Sequence, residues 1–193
     1  PEILRTRMKN MIKWLTDSKH KLSGMVAQIE DFISLKSNLM RIMGQYTQKK
    51  KLINNINGLY GLLADNAIQM PGEIRDGITN MNALVGELNQ QIEQAEYNTT
   101  KNTDRYIKAL TEKIGQLKID AMDLMVAVSQ DKYLQDSVLP IAIIDELDAV
   151  DRKVTEVEGR TEKFKSYEEI LQVQEYGDFT SIEELRTALN LRS

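Results

Sequence analysis

The chain has 193 residues, a mass of 22.1 kDa and a net charge of -4, enough for one domain and at most a modest second one. It lacks cysteine, which excludes disulfides and thiolate metal sites and suits a reducing cytoplasm; no apolar run approaches the length of a membrane span. Leu, Ile, Met, Lys, Glu, Gln and Asn dominate over β-branched and aromatic residues, and nothing alternates with period two, so the composition excludes a sheet and predicts an all-α protein.

The charge is unevenly distributed. Residues 1–53 carry 11 Lys/Arg against 4 Asp/Glu, a balance of +7, and the remainder carries -11. Side-by-side packing of oppositely charged helices accounts for this split. A basic surface for nucleic acid, tubulin or membrane is disfavoured because no aromatics interleave the cations. The start at Pro1, basic and amphipathic rather than signal-like, reads as a cut inside a longer chain.

The first predicted helix covers 2–68. One seam runs Leu4, Met11, Ser18, Met25, Phe32, Leu39, Tyr46, Ile53 and Tyr60; its companion runs Met8, Leu15, Leu22, Ile29, Lys36 and Met43, then decays through Lys50 and Asn57. Beyond Met43 the apolar set shifts to Leu52, Ile56, Leu59 and Leu63, read as a change of packing partner within a continuous helix. Such a helix would be a rod of roughly 100 Å, too long for a globular domain. Trp14 flanks the Leu15 seam and half covers the core on the ordinary reading; as an anchor for a partner subunit it is the candidate contact residue.

Met70-Pro71-Gly72 is the first firm break. A second helix is expected over 73–128, with Ile74, Ile78, Met81, Val85, Leu88, Ile92 and Ala95 on one seam and Tyr106, Leu110, Ile114, Leu117, Ala121, Leu124 and Val128 resuming it. The polar stretch 97–104 between them is read as helix, locally weakened. Residues 129–139 read as a loop before Pro140, which opens a third helix over 140–172 through Ile141, Ile144, Leu147, Val150, Val154, Val157, Thr161 and Phe164. After the break at Gly177, Thr180 or Ser181 is expected to cap a fourth helix with Glu183 or Glu184 completing a capping box, and Ile182, Leu185 and Leu189 give it one apolar side. Apolar seams of about 3.5-residue period must bundle laterally, so the expected architecture is an elongated antiparallel helical bundle of coiled-coil-like long helices: a hairpin of 2–68 against 73–128, with 140–172 returning along it.

No catalytic constellation is visible. The lone histidine, His20, sits between lysines and reads as solvated; the glycine pairs lack the lysine of a phosphate loop and follow no strand. The acidic pairs Glu168-Glu169 and Glu183-Glu184 read as exposed helix-surface residues, and a di-metal helical-bundle oxidase would need Glu-x-x-His pairs that are absent. The nine methionines read as adaptable core filling, or else as a permissive binding groove.

The C-terminal stretch does carry a resemblance. Phe164, Tyr167 and Leu171 form K-F-x-x-Y-x-x-x-L, and after a short gap Phe179, Glu184 and Leu185 form F-x-x-x-x-E-L. This resembles dynein heavy chains where the tail hands over to the linker, and the likeness extends from about Asp145 onward. The Leu139-Pro140 step and the Asp-Glu-Leu-Asp run after it resemble ciliary (axonemal) heavy chains more than the cytoplasmic type. The resemblance implies a non-catalytic tail segment, residues 1–172, leading at 173–193 into the linker of a microtubule motor. It also implies force transmission, contacts with intermediate chains, light chains and other heavy-chain segments, and residence in the cytoplasm, cytoskeleton and cilium axoneme. No cofactor, small molecule, nucleic acid or membrane insertion is implied, and the ATPase motifs of the family are absent from this chain. A free-standing spectrin-like or coiled-coil scaffold explains the long seams equally well.

Overall fold

The apolar seams fold as helices, interrupted by a turn at 23–28. The computed structural model describes residues 2–130 and 141–191, in which five helices succeed one another: α1 (Glu2–Leu22), α2 (Ile29–Asp65), α3 (Gly72–Val128), α4 (Ile141–Leu171) and α5 (Thr180–Asn190). There is no strand among the described residues. The fold is an all-α helical bundle. The chain divides into two units, 1–103 and 104–193, and α3 contributes to both.

In the first unit, α1, α2 and the N-terminal part of α3 alternate in direction. Trp14 near the end of α1 meets Gln45 of α2, whereas Arg7 shares a groove with Asn55 and Ile56, so α1 and α2 are antiparallel. Tyr46 pairs with Asn89 and Asn57 with Asn82, so α2 and α3 are antiparallel too. Glu73 and Glu87 of α3 meet Arg5 and Lys19, which sets α3 parallel to α1. The core is built from Leu4, Met8, Met11 and Leu15 of α1, Leu39, Ile42, Ile53 and Ile56 of α2, and Ile74, Ile78, Met81 and Leu88 of α3, all buried. Arg5, Lys9 and Lys19 of α1 therefore lie beside the carboxylates of Glu73 and Glu87 of α3.

The first helix is not continuous, a correction to the 2–68 expectation. It ends at Leu22, and α2 starts at Ile29. Asp31 secures the new start: its Oδ2 accepts from the backbone N–H of Ala27 at 3.0 Å and of Gln28 at 3.1 Å, satisfying donors that a helix N-terminus leaves open. Met25, placed in the seam by counting, lies in the turn and is 89% exposed. Beyond the turn the first seam keeps its register and the companion seam shifts. In α2 the buried positions are Ile29, Phe32, Ile33, Leu35, Leu39, Ile42, Ile53 and Ile56: Ile29, Phe32, Leu39 and Ile53 are where the spacing placed them, while Leu35 and Ile42 take the places expected of Lys36 and Met43. Lys36 is half-buried, Met43 and Lys50 are exposed, and Asn57 exchanges amide hydrogen bonds with Asn82 at 3.0 and 3.3 Å.

α2 closes on a turn in which Ala67 is left-handed (φ 57°), Ile68 N–H donates to Leu63 O and Ala67 N–H to Ala64 O. This pair of bonds is the Schellman arrangement, here with alanine where glycine is usual. Pro71 O then accepts from Ile74 and Arg75 N–H at the start of α3. Through 97–104 α3 is uninterrupted. Thr99, buried, and Thr103 return their hydroxyls to the carbonyls of Ala95 and Thr99, and the Asn102 amide to that of Asn98, so these polar groups are satisfied within the helix.

The second unit repeats the alternation with the C-terminal part of α3, α4 and α5. Asp120 meets Arg160, Ala127 and Lys153 share a groove, and Arg186 reaches back to Asp151 and Glu158, so each helix runs against the one before it. Leu110, Leu117, Ala121, Val154, Val157, Phe164, Leu171, Ile182 and Leu185 are buried. Ile141 and Ile144, expected in the α4 seam, are exposed, and that seam starts at Leu147. The loop expected over 131–139 and the helix start at Pro140 lie outside the described residues. Residues 173–193 lie inside the second unit.

Candidate functional site

Phe164, Tyr167, Leu171, Phe179, Glu184 and Leu185, the C-terminal residues singled out in the sequence, lie in the C-terminal part of α4 and the start of α5. Phe164, Leu171, Phe179 and Leu185 are buried, Tyr167 is half-buried and Glu184 is exposed. The rings of Phe164 and Tyr167 are tilted at 47° with centroids 6.3 Å apart, inside the range where aromatic pairs attract. Lys165 extends over the Phe179 ring at 5.6 Å and approaches Glu183 at 3.7 Å, linking α4 to the first turn of α5.

The connection between the helices is shaped by three polar devices. α4 ends in a second Schellman turn, with Gln172 left-handed (φ 56°), Val173 N–H donating to Glu168 O and Gln172 N–H to Glu169 O. Glu168, expected on the surface, is instead only 3% exposed, and its Oε1 accepts the backbone N–H of Gly177 at 2.6 Å. A Cβ on Gly177 would lie 3.1 Å from that oxygen and 3.3 Å from Ile114 and Phe179, so a side chain there would require these neighbours to give by a few tenths of an ångström. The α5 start is also corrected. Thr180 is already helical, Phe179 occupies the capping position, and no capping box forms on Thr180 or Ser181. Asp178 takes that role: its Oδ1 accepts from Thr180 N–H at 3.0 Å and Thr180 Oγ1 at 2.7 Å, and these bonds hold its carboxyl below the usual carboxylate range.

One arginine ties α5 down. Arg186 Nε and Nη2 donate to the two oxygens of Glu158 at 2.8 and 2.6 Å, Nη1 to Asp151 at 2.5 Å and Nη2 to Thr155 at 3.0 Å. The two-pronged grip on Glu158 matches the planar fork of a guanidinium. It holds the Glu158 carboxyl below its ordinary pKa and raises that of Arg186. Asp120 is likewise held low, first by the Gln116 amide and then by Arg160 at 2.6 Å. These carboxylates are thus engaged in joining helices.

Trp14 sits in the other unit. It is half-buried on α2, its Nε1 donates to Gln45 Oε1 at 3.1 Å, and Lys49 Nζ lies 5.4 Å from the ring centroid. Among the described residues no group of three or more His, Cys, Asp or Glu side chains is placed to hold a metal ion, and no helix is long and apolar enough to cross a membrane.

Sequence reasoning missed Glu168, Asp178 and Arg186. For Arg186 a signal existed, since Asp151, Thr155 and Glu158 recur at helical spacing on one face of α4. Glu168 offered none, because its burial depends on a loop nine residues away. No protein-family model matches the chain, and no curated protein matches it.

Proposed function

We propose that this chain is a non-catalytic structural segment of a dynein heavy-chain tail that transmits force between tail and motor and presents helical surfaces to intermediate and light chains. On this reading it works on microtubules in the cytoplasm and cytoskeleton, and in the axoneme of cilia. The observation that supports the reading is the α4–α5 corner: the apolar anchors Phe164, Leu171, Phe179 and Leu185 are all buried in the C-terminal part of α4 and at the start of α5. Carboxylates used as ties between helices suit a part that bears load rather than one that turns over substrate.

A second reading, a spectrin-like scaffold without a motor, is favoured by a specific feature: two units of three alternating helical segments that share α3. The two readings separate in the full-length gene product. A tryptophan-bearing linker helix followed by AAA+ modules downstream of Ser193 supports the dynein segment; a stop codon there removes it and leaves the scaffold. Co-purification of the segment with intermediate or light chains supports the subunit-binding role, and its absence under conditions where the parent complex assembles counts against it.

A further inference from the structure

The two flanks of α1 differ in how their cations are neutralised. Towards α3, Lys9 lies 3.0 Å and Arg5 3.6 Å from Glu73, and Lys19 lies 2.5 Å from Glu87. Towards α2, Arg7 and Lys49 make no ion pair with any described residue, although they flank a groove of about 440 Å³. The sequence explains the difference: from Phe32 to Ala64 there is no Asp or Glu, while Lys36, Arg41, Lys49, Lys50 and Lys51 supply 5 positive charges. α2 therefore has no acid with which to answer α1 or itself along this span.

The groove is also apolar at its base. Met11 and Ile56 form buried floor, Leu52 is 41% exposed at the rim, and Asn10 supplies an amide beside it. Trp14 borders the same helix pair, with one face under Lys49. A slot between two antiparallel helices, apolar within and bearing one cation from each helix, Arg7 and Lys49, has features an amphipathic helix recognises: room for apolar anchors at i, i+3, i+4 and i+7, with charge beside it to meet side chains of opposite sign. Nucleic acid fits it less well, since the single aromatic is already capped by a lysine and no stacking platform follows it.

We propose that the α1–α2 groove is the docking site for an acidic amphipathic helix of a partner protein, with Arg7 and Lys49 receiving its carboxylates. The proposal rests on the protein-binding part of the function given above and not on the dynein assignment.

The test uses the 193-residue chain and fluorescein-labelled synthetic helices with leucine at every a and d position and either glutamate or lysine at e and g. The expected result is that the glutamate helix binds at least about tenfold more tightly than the lysine helix, weakening as salt is raised, with a shift in Trp14 emission. Arg7→Glu with Lys49→Glu should lower that affinity about tenfold or more, whereas Lys101→Glu on α3 leaves it unchanged. Circular dichroism confirms retained helix, and the milder Arg7→Gln with Lys49→Gln serves if the reversal unfolds the unit. Equal affinity for both helices, or affinity undiminished by either double variant, overturns the proposal. So does tighter binding of duplex DNA or phosphatidylserine vesicles, which would make the groove a general polyanion surface. Loss of intermediate- and light-chain capture with peptide binding intact would remove the dynein reading and leave the groove.

Discussion

Among the described residues, two that are not glycine hold left-handed backbone, Ala67 and Gln172, each at the C-terminal turn of a helix. That conformation costs an L-residue about 1–2 kcal/mol, of which glycine recovers a part after its own entropy loss. Ala67→Gly and Gln172→Gly should each raise stability by roughly 0.5–1 kcal/mol in denaturant titration, unlike most glycine substitutions in a helical protein. Glu168 is the opposite case. Removing its carboxylate leaves the Gly177 N–H without its acceptor, so Glu168→Ala should destabilise by about 1–3 kcal/mol, while Glu168→Gln, which keeps an acceptor oxygen, should lose less. Its Oε2, buried with no hydrogen-bond partner, gives the glutamine amide no compensating contact.

At the scale of the element, α2 is the most exacting. Leu39 is buried at the crossing of α1, α2 and α3, so Leu39→Lys should lower stability by at least about 3 kcal/mol; an unchanged melting temperature would place that face in solvent. α5 depends on Arg186. Arg186→Ala should cost about 1–2 kcal/mol and Arg186→Lys nearly as much, since an ammonium cannot reproduce the fork. Because the folded state depresses the pKa values of Glu158, Asp120 and Asp178, their contribution is present above the ordinary carboxylate range and is lost as pH falls through their lowered values. Thermal melts between pH 7 and pH 3 should therefore show a loss of stability that Glu158→Gln diminishes.

Much of this was legible beforehand. Every seam position of α1 from Leu4 to Leu22 is buried, as are Ile182, Leu185 and Leu189, because a 3.5-residue apolar period leaves a helix one face to hide. The companion seam of α2 was not legible. The turn at 23–28 lacks proline, and the cap that starts α2 uses Asp31 reaching back to backbone donors rather than a serine or threonine at the helix start. Counting sevens across that turn still places Ile29, Phe32, Leu39 and Ile53 correctly, but it puts Lys36 and Met43 where Leu35 and Ile42 are the buried residues. At the α4–α5 corner the apolar anchors were readable and the polar ties were not, since periodicity reports burial of hydrocarbon and is blind to a carboxylate enclosed by a distant loop.

For the whole molecule, α3 is the one element common to both units. Thr100 is exposed in mid-helix, just before the boundary, so Thr100→Pro tests the helix with little loss of side-chain packing. It should cost about 3 kcal/mol and split a single unfolding transition into two, read by calorimetry and by Trp14 fluorescence, which reports the first unit alone. The same boundary also sorts charge. Residues 1–103 hold 13 cations and 10 anions, a balance of +3, and residues 104–193 hold 12 and 19, a balance of -7. Neighbouring copies in dilute buffer thus carry units of unlike charge that attract one another, and background electrolyte weakens that attraction. The chain should accordingly salt in: light-scattering aggregates formed at low ionic strength should dissolve on adding sodium chloride, with the sharpest response near its isoelectric point.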